Sequence, residues 1–223
     1  DPGEVIIVDG NGLHSATWSG GTGRQTLCVF ELIYFARPDS LMAGQLVHSA
    51  RQELGAQLAR EHPVDADLVI GIPDSSTAAA VGYAQESGIP FSEGLVKNRY
   101  VGRTFIEPEQ RLRDLGVRQK FNTIVDVIQG KRLVVVDDSI VRGTTTPHVV
   151  NLLRKGGAKE VHMRVCAPPI KHPCFMGVDM ASREELLAAN NTLEDIRTIV
   201  GADTLGYLSG EGLLEVVGGT NGG

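Results

Sequence analysis

Cysteine is scarce in this chain. Cys28, Cys166 and Cys174 are the three in 223 residues. They are too few and too scattered for a disulfide framework, so the expectation is reduced thiols in the cytosol. Long apolar runs are also missing. No stretch approaches the roughly 20 residues of a membrane span, and Asp1–Gly3 is neither basic nor followed by the apolar core of a signal peptide. Positive charge is in deficit, with a net charge of −6 and a pI near 5.5. That argues against a nucleic-acid footprint, which needs a basic face. It also makes the positions of the basic residues informative, because an acidic protein that binds a polyanion must concentrate them. There is no initiating methionine, and a chain that opens on Asp1 is expected to be a fragment or a processed product. The remainder, 42% hydrophobic and 22% charged, suits one substantial domain, or one domain plus a fragment.

What is present centres on Leu133–Val150, LVVVDDSIVRGTTTPHVV. Leu133–Val136 is apolar and β-branched and predicts a buried strand. Asp137 and Asp138 stand where that strand ends. A polar turn with Gly143 and the threonines 144–146 follows, and the spacing predicts a helix starting near Pro147. Strand, turn and helix start aim unpaired N–H groups at one point, which favours an anion. The carboxylates would repel a phosphate. They suit sugar hydroxyls, which donate to them, or a divalent metal. A phosphate, a diol and a metal together describe a phosphorylated ribose. A lone pair of acids after a strand is more often an acidic cap before an ordinary loop. The absence of GKS or GKT, and of GxGxxG, removes the two commonest phosphate-loop alternatives.

Around this centre the pattern alternates strands and helices. Val5–Val8 and His14–Trp18 flank the turn Asp9–Gly12 and read as a hairpin. Met42, Leu46, Ala50, Leu54 and Leu58 predict a helix capped by Ser40 and running to about Glu61, with Arg51, Glu53, Arg60 and Glu61 on its solvated face. Asp67–Ile72 reads as a strand that ends in Pro73-Asp74-Ser75-Ser76, and an alanine-rich helix follows over Thr77–Glu86. Glu160–Cys166 is another strand. Ser182 and Glu185 have capping-box spacing, with a helix to about Asn190. Thr192 opens the next helix, and Ser209–Val217 forms a last one. The alternation predicts an α/β fold, mostly parallel, with both special turns at the carboxyl edge of the sheet. Lys97, Arg99 and Arg103 form a basic cluster between those turns. It is either a solvated loop or a mobile flap that closes over a pyrophosphate.

VVVDDSIVRGTTT closely resembles the phosphoribosyl-pyrophosphate signature of the type I phosphoribosyltransferases. The strings YFARPDS, GIPDSS, GYAQESGIP, VKNRYVGRTFI, PPIKHPCF and GADTLGYLS extend the likeness over nearly the whole chain, specifically to the amidophosphoribosyltransferases. The resemblance implies the type I fold, a mostly parallel sheet flanked by helices with a flexible loop. It implies transfer of ribose 5-phosphate from phosphoribosyl pyrophosphate to ammonia, which gives phosphoribosylamine in the first step of purine synthesis. Ammonia comes from glutamine in a separate N-terminal domain. No glutaminase core precedes Cys28, so residues 1–26 are expected to hold a remnant hairpin of that domain and residues 27–223 the phosphoribosyltransferase domain.

By the same resemblance, Asp137 and Asp138 hold the ribose hydroxyls and Mg²⁺, with Ser75 at the metal. Arg142, Gly143, Thr144, Thr145 and Thr146 cradle the 5-phosphate, and Pro73, Asp74, Ser75 and Ser76 form the pyrophosphate turn. Lys97, Arg99 and Arg103, with Lys120, belong to the flap. Lys97 is also a contact for inhibitory purine nucleotides. Cys28 and Cys174 match half the ligand set of the [4Fe–4S] cluster that one subgroup carries, and the full-length form is expected to be a cytoplasmic homo-oligomer. The competing expectations are a phosphoribosyltransferase for a nucleobase, a phosphoribosyl-pyrophosphate-sensing regulator of the same fold, and an inactive fragment that only binds ligand.

Overall fold

The apolar, β-branched runs become the strands of the central sheet, and helices connect them along the chain. The computed structural model describes residues 4–17, 27–98, 120–178 and 182–218. In chain order the strands are β1 (Glu4–Asp9), β2 (Gly12–Thr17), β3 (Leu41–Met42), β4 (Gln45–Leu46), β5 (Leu68–Gly71), β6 (Leu95–Lys97), β7 (Phe121–Thr123), β8 (Arg132–Asp137), β9 (Glu160–Val165) and β10 (Thr204–Tyr207). The helices are α1 (Val47–Glu61), α2 (Thr77–Ser87), α3 (Val125–Ile128), α4 (Thr145–Lys155), α5 (Leu187–Asn190), α6 (Leu193–Val200) and α7 (Gly210–Gly218). Glu31–Phe35 forms a single π-helical turn.

The central sheet has four strands in the order β10-β9-β8-β5, all parallel. A parallel sheet is buried on both faces, and its strands are accordingly apolar in succession rather than alternating. Leu68, Ile70, Leu133, Val135, Val161 and Met163 point to one face, where Val149, Val150 and Leu153 of α4 and Ile196 of α6 cover them. Val69, Val134 and Val136 point to the other, under Leu54 and Leu58 of α1, Tyr83 of α2 and Leu213 of α7. With both faces covered, the carboxyl ends of the strands are left as the natural place for ligands.

The first helix begins later than its periodicity predicts. Ala43 and Gly44 take positive φ, 50° and 80°, and fold Leu41–Leu46 into a small hairpin in which Leu41 pairs with Leu46. Met42 and Leu46 therefore belong to strands, and α1 starts at Val47. Arg51 is not on a solvated face either. It is only 4% exposed. The Ser182–Glu185 capping box does not form. The Ser182 hydroxyl bonds Glu184, Glu185 pairs with Arg142, and the helix shrinks to Leu187–Asn190. The Thr192 cap does form, as a reciprocal box with Asp195. The β1–β2 hairpin is present with Asp9 opposite Gly12. Among the described residues no helix is long and apolar enough to cross a membrane.

Candidate active site

The carboxyl ends of β5 and β8 lie side by side, because Gly71 pairs with Val136 and the Ile72 amide donates to the Val136 carbonyl at 2.9 Å. That pairing sets the turn Pro73–Ser76 against the acids at the end of β8. The Ser75 hydroxyl donates to Asp138 Oδ2 at 2.5 Å, Ser139 Oγ to Asp138 Oδ1 at 2.8 Å, and the Asp138 amide to Asp137 Oδ1 at 2.9 Å. Ser76, fully buried, reaches Asp137 Oδ1 at 3.4 Å. The Pro73–Asp74 peptide is cis.

Both acids are 8% exposed. Burial pushes both carboxyls above the usual range, and for Asp137 the neighbouring Asp138 adds to the effect. The Ser75 and Ser139 hydroxyls and the buried charge of Arg51 pull Asp138 part of the way back. Arg51 itself is held by the Leu32 and Ala36 carbonyls, both at 2.9 Å. The pair is thus a buried set of adjacent carboxylate oxygens, and a hard divalent cation with oxygen ligands is the chemistry it suits.

Cations approach from the β6–β7 ribbon. Lys97 pairs with Phe121 across it, so Lys97 and Lys120 stand together although the sequence separates them. Lys97 Nζ lies 2.9 Å from Asp74 Oδ2. Burial and then the Lys97 charge pull the Lys120 ammonium below its usual range, against the opposing pull of Asp137, Asp138 and Asp74. Arg99 and Arg103 lie outside the described residues. A cleft of about 420 Å³ at Arg60, Pro63, Asp65 and Glu86 is at the amino end of β5, away from this chemistry.

The third part is the turn into α4. Gly143 has φ +69°, a left-handed conformation that glycine adopts without penalty. Thr144 flanks the helix, which starts at Thr145, two residues before Pro147. Thr146 is 3% exposed. The first amides of α4 have no partner within the helix and face the turn. The Arg142 guanidinium rests on Glu185, with both Nε and Nη2 at 2.8 Å from Oε2. Asp137, Asp138, Ser75, Ser76, Asp74, Lys97 and Lys120 are therefore joined by contacts or charge, while Gly143–Thr146 form the adjoining turn.

Sequence reasoning missed Arg51 and Glu185. Nothing in a helical period separates a buried arginine from an exposed one. Glu185 has the spacing of a capping box that its loop does not obey.

The cysteines separate cleanly. Cys166 is buried, and its amide donates to the Asp137 carbonyl at 2.9 Å. Burial and both carboxylates push its thiol well above the usual range. Cys28 is exposed and Cys174 partly so. Backbone donors, among them the Met176 amide at 3.3 Å, pull the Cys174 thiol down. Thiolate is the reactive form, so iodoacetamide near neutral pH will label Cys174 in the native protein and spare Cys166 until the chain is denatured. Peptide mapping reads both. Native labelling of Cys166 as fast as Cys174 would contradict this geometry.

A family profile described as the phosphoribosyl transferase domain matches residues 39–174. The chain belongs to this family. Its parallel four-stranded sheet flanked by helices is that of the type I phosphoribosyltransferase fold. It is 53% identical over 218 residues to the amidophosphoribosyltransferase of Bacillus subtilis, covering 98% of this chain and 46% of that protein. It is 58% identical over 216 residues to the amidophosphoribosyltransferase of Archaeoglobus fulgidus, covering 97% of this chain and 47% of that one. The solved structure of the B. subtilis glutamine phosphoribosylpyrophosphate amidotransferase, complexed with ADP and GMP, matches 100% of this chain and 49% of its own. The TM-score is 0.84 and the identity 52%. The chain thus spans about half the length of the relatives it matches.

Proposed function

We propose that this chain is the phosphoribosyl-transferring part of an amidophosphoribosyltransferase. It moves ribose 5-phosphate from phosphoribosyl pyrophosphate to ammonia and releases pyrophosphate and phosphoribosylamine. The observation that carries this reading is the buried acid pair Asp137-Asp138 set between a serine turn and a glycine–threonine turn at a helix start. C1 of the ribose loses pyrophosphate through a cationic, oxocarbenium-like transition state. The task is to hold the sugar and neutralise the leaving group, more than to supply a strong base.

Asp137 and Asp138 accept from the ribose hydroxyls, and the amides and hydroxyls of Gly143–Thr146 receive the 5-phosphate. Lys97 and Lys120, with Arg99 and Arg103 of the flap, offset the charge of the pyrophosphate at Pro73–Ser76. Mg²⁺ would be held by Asp137 and Asp138 with Ser75 beside them, and it supplies charge neutralisation at the leaving phosphates. The residues fit it because two adjacent buried carboxylates, with the Ser75 hydroxyl on one of them, supply the hard oxygen donors that Mg²⁺ takes.

On this reading residues 1–26 include the last hairpin of a glutaminase domain, and residues 27–223 form the phosphoribosyltransferase domain. The exposed apolar side chains of that hairpin, with Val8 at 75% and Leu13 at 69%, support the division, since another domain would cover them. Purine nucleotides are inhibitory partners at the same region, with Lys97 as a contact. A [4Fe–4S] cluster in the full-length protein would use Cys28 and Cys174 with two further thiolates. The full-length enzyme is a cytoplasmic homo-oligomer.

The test is the nitrogen source. The purified chain should release pyrophosphate from phosphoribosyl pyrophosphate and Mg²⁺ with ammonium chloride at alkaline pH, where free ammonia exists. It should not do so with glutamine alone. Robust turnover with glutamine would sink the division into halves. Tight ligand binding with no turnover on ammonia would make the chain a ligand-binding module instead.

A further inference from the structure

We infer that the segment Ser182–Asn190 is a brace that holds the 5-phosphate turn in its binding shape, with Glu185 and Leu187 as positioning residues. This rests on the reading of Gly143–Thr146 as a phosphate cradle. The brace meets the turn at successive residues. The Leu187 amide donates to the Val141 carbonyl at 2.9 Å. Glu185 Oε2 accepts from Arg142 Nε at 2.8 Å and lies 2.8 Å from its Nη2. Leu187 packs so closely on Gly143 that a Cβ there would sit 2.7 Å from Leu187 Cδ2.

Every residue from Val141 to Gly143 is therefore pinned from the same side, immediately before the amides that face the phosphate. The brace is fixed in turn. Leu186 is fully buried, and the Asn190 side-chain amide donates to the carbonyls of Arg183, Glu184 and Leu186 at 3.1, 3.2 and 3.0 Å. A helix of four residues, α5, is too short to hold itself, so these tethers set its place.

The arrangement changes the role of Arg142. Its guanidinium is committed to Glu185, which offsets its charge. Arg142 then shapes the turn, and the phosphate is received by backbone N–H groups and threonine hydroxyls. An exposed ion pair contributes little to overall stability. Its effect lies in geometry, and small misplacements of a binding turn are costly.

The experiment is calorimetric titration of the full chain with ribose 5-phosphate and, separately, with pyrophosphate plus Mg²⁺. The parent should bind both. Glu185→Ala combined with Leu187→Ala should weaken ribose 5-phosphate on the order of tenfold and leave pyrophosphate unchanged, a split that general loosening of the fold would not give. Arg142→Glu and Glu185→Arg should each weaken ribose 5-phosphate, and the two together should restore it. Both sites are exposed enough to tolerate exchange, and circular dichroism verifies folding. A parent that binds pyrophosphate but not ribose 5-phosphate overturns the cradle and the brace with it. A parent that binds both, with a double-alanine variant that binds equally well, overturns the brace alone. Failure of the charge exchange to rescue binding would mean that Arg142 touches the phosphate itself, and the positioning role would fall.

Discussion

Replacing Asp137 and Asp138 together by asparagine should abolish most activity and at the same time make the metal-free protein more stable. The activity loss follows from the proposed roles. Asparagine keeps the shape but removes two negative charges that attract the cation and accept from the ribose hydroxyls. A charge-assisted contact contributes roughly 1.5–3 kcal/mol, so the pair should cost on the order of a hundredfold or more in kcat/KM. The stability gain follows from burial. Both carboxyls are raised, first by desolvation and, for Asp137, next by Asp138.

A group whose pKa is raised by folding favours the folded state below its unfolded pKa, and that contribution is lost as pH rises through the folded value. Above the raised values the ionised pair therefore costs stability, and asparagine removes the cost. The hydroxyls of Ser75 and Ser139 can still bond an amide, because a hydroxyl both donates and accepts. Thermal melts should show the parent losing stability from acidic to alkaline pH, with a flatter profile for the variant. Mg²⁺ with phosphoribosyl pyrophosphate should raise the melting temperature of the parent alone, by ligand linkage. Parental turnover by the variant would return Asp137-Asp138 to an acidic cap before an ordinary loop.

The same tension explains which parts of the molecule could be read from the letters. The strand Leu133–Val136 was legible because burial on both faces demands an unbroken apolar run. The acids after it stand out only through the whole string VVVDDSIVRGTTT, since a lone acid pair at a strand end is more often an ordinary cap. Both turns announce themselves through glycine, proline and hydroxyl residues, whose backbone or side-chain chemistry is local. Contacts made across the fold left no such mark. Arg51 obeys the helical period of a solvated face, yet the carbonyls of Leu32 and Ala36 and the charge of Asp138 draw it inside. Lys120 stands 23 residues from Lys97, and only the antiparallel pairing of β6 with β7 brings it to the acids. Met42 and Leu46 kept a helical period that the turn at Ala43-Gly44 overrides, since positive φ at adjacent residues cannot continue a helix. Glu185 matched a capping rule and went instead to Arg142.

Gly55→Ala should destabilise the protein severely, although the same change in an exposed helix stabilises by about 1 kcal/mol. Gly55 of α1 lies against α2 so closely that a Cβ would sit 1.8 Å from the Ala79 carbonyl oxygen, and a Cβ at Gly82 of α2 would sit 1.8 Å from the Gln52 oxygen of α1. The contact is reciprocal, and on both sides the obstacle is backbone. No flexible side chain can swing away, so the helices must separate. Overpacking of this kind costs about 1–3 kcal/mol and occasionally more. With backbone as the obstacle the upper end applies, and the propensity gain offsets only part of it. For a chain of this size that is a fall in melting temperature of roughly 4–8 °C or more.

Gly210→Ala is the control, because nothing lies within 4 Å of the added carbon, and it should stay within about 0.5 kcal/mol of the parent. The effect should reach the site as well. Ser76 stands immediately before the first turn of α2, and Ser75 beside it reaches Asp138. Any shift of α2 away from α1 moves both hydroxyls relative to the acids. The Gly55→Ala protein should therefore also gain less thermal protection from Mg²⁺ and phosphoribosyl pyrophosphate than the parent does. If Gly55→Ala melts with the parent and is protected equally, the close approach of α1 and α2 does not set the position of the serine turn.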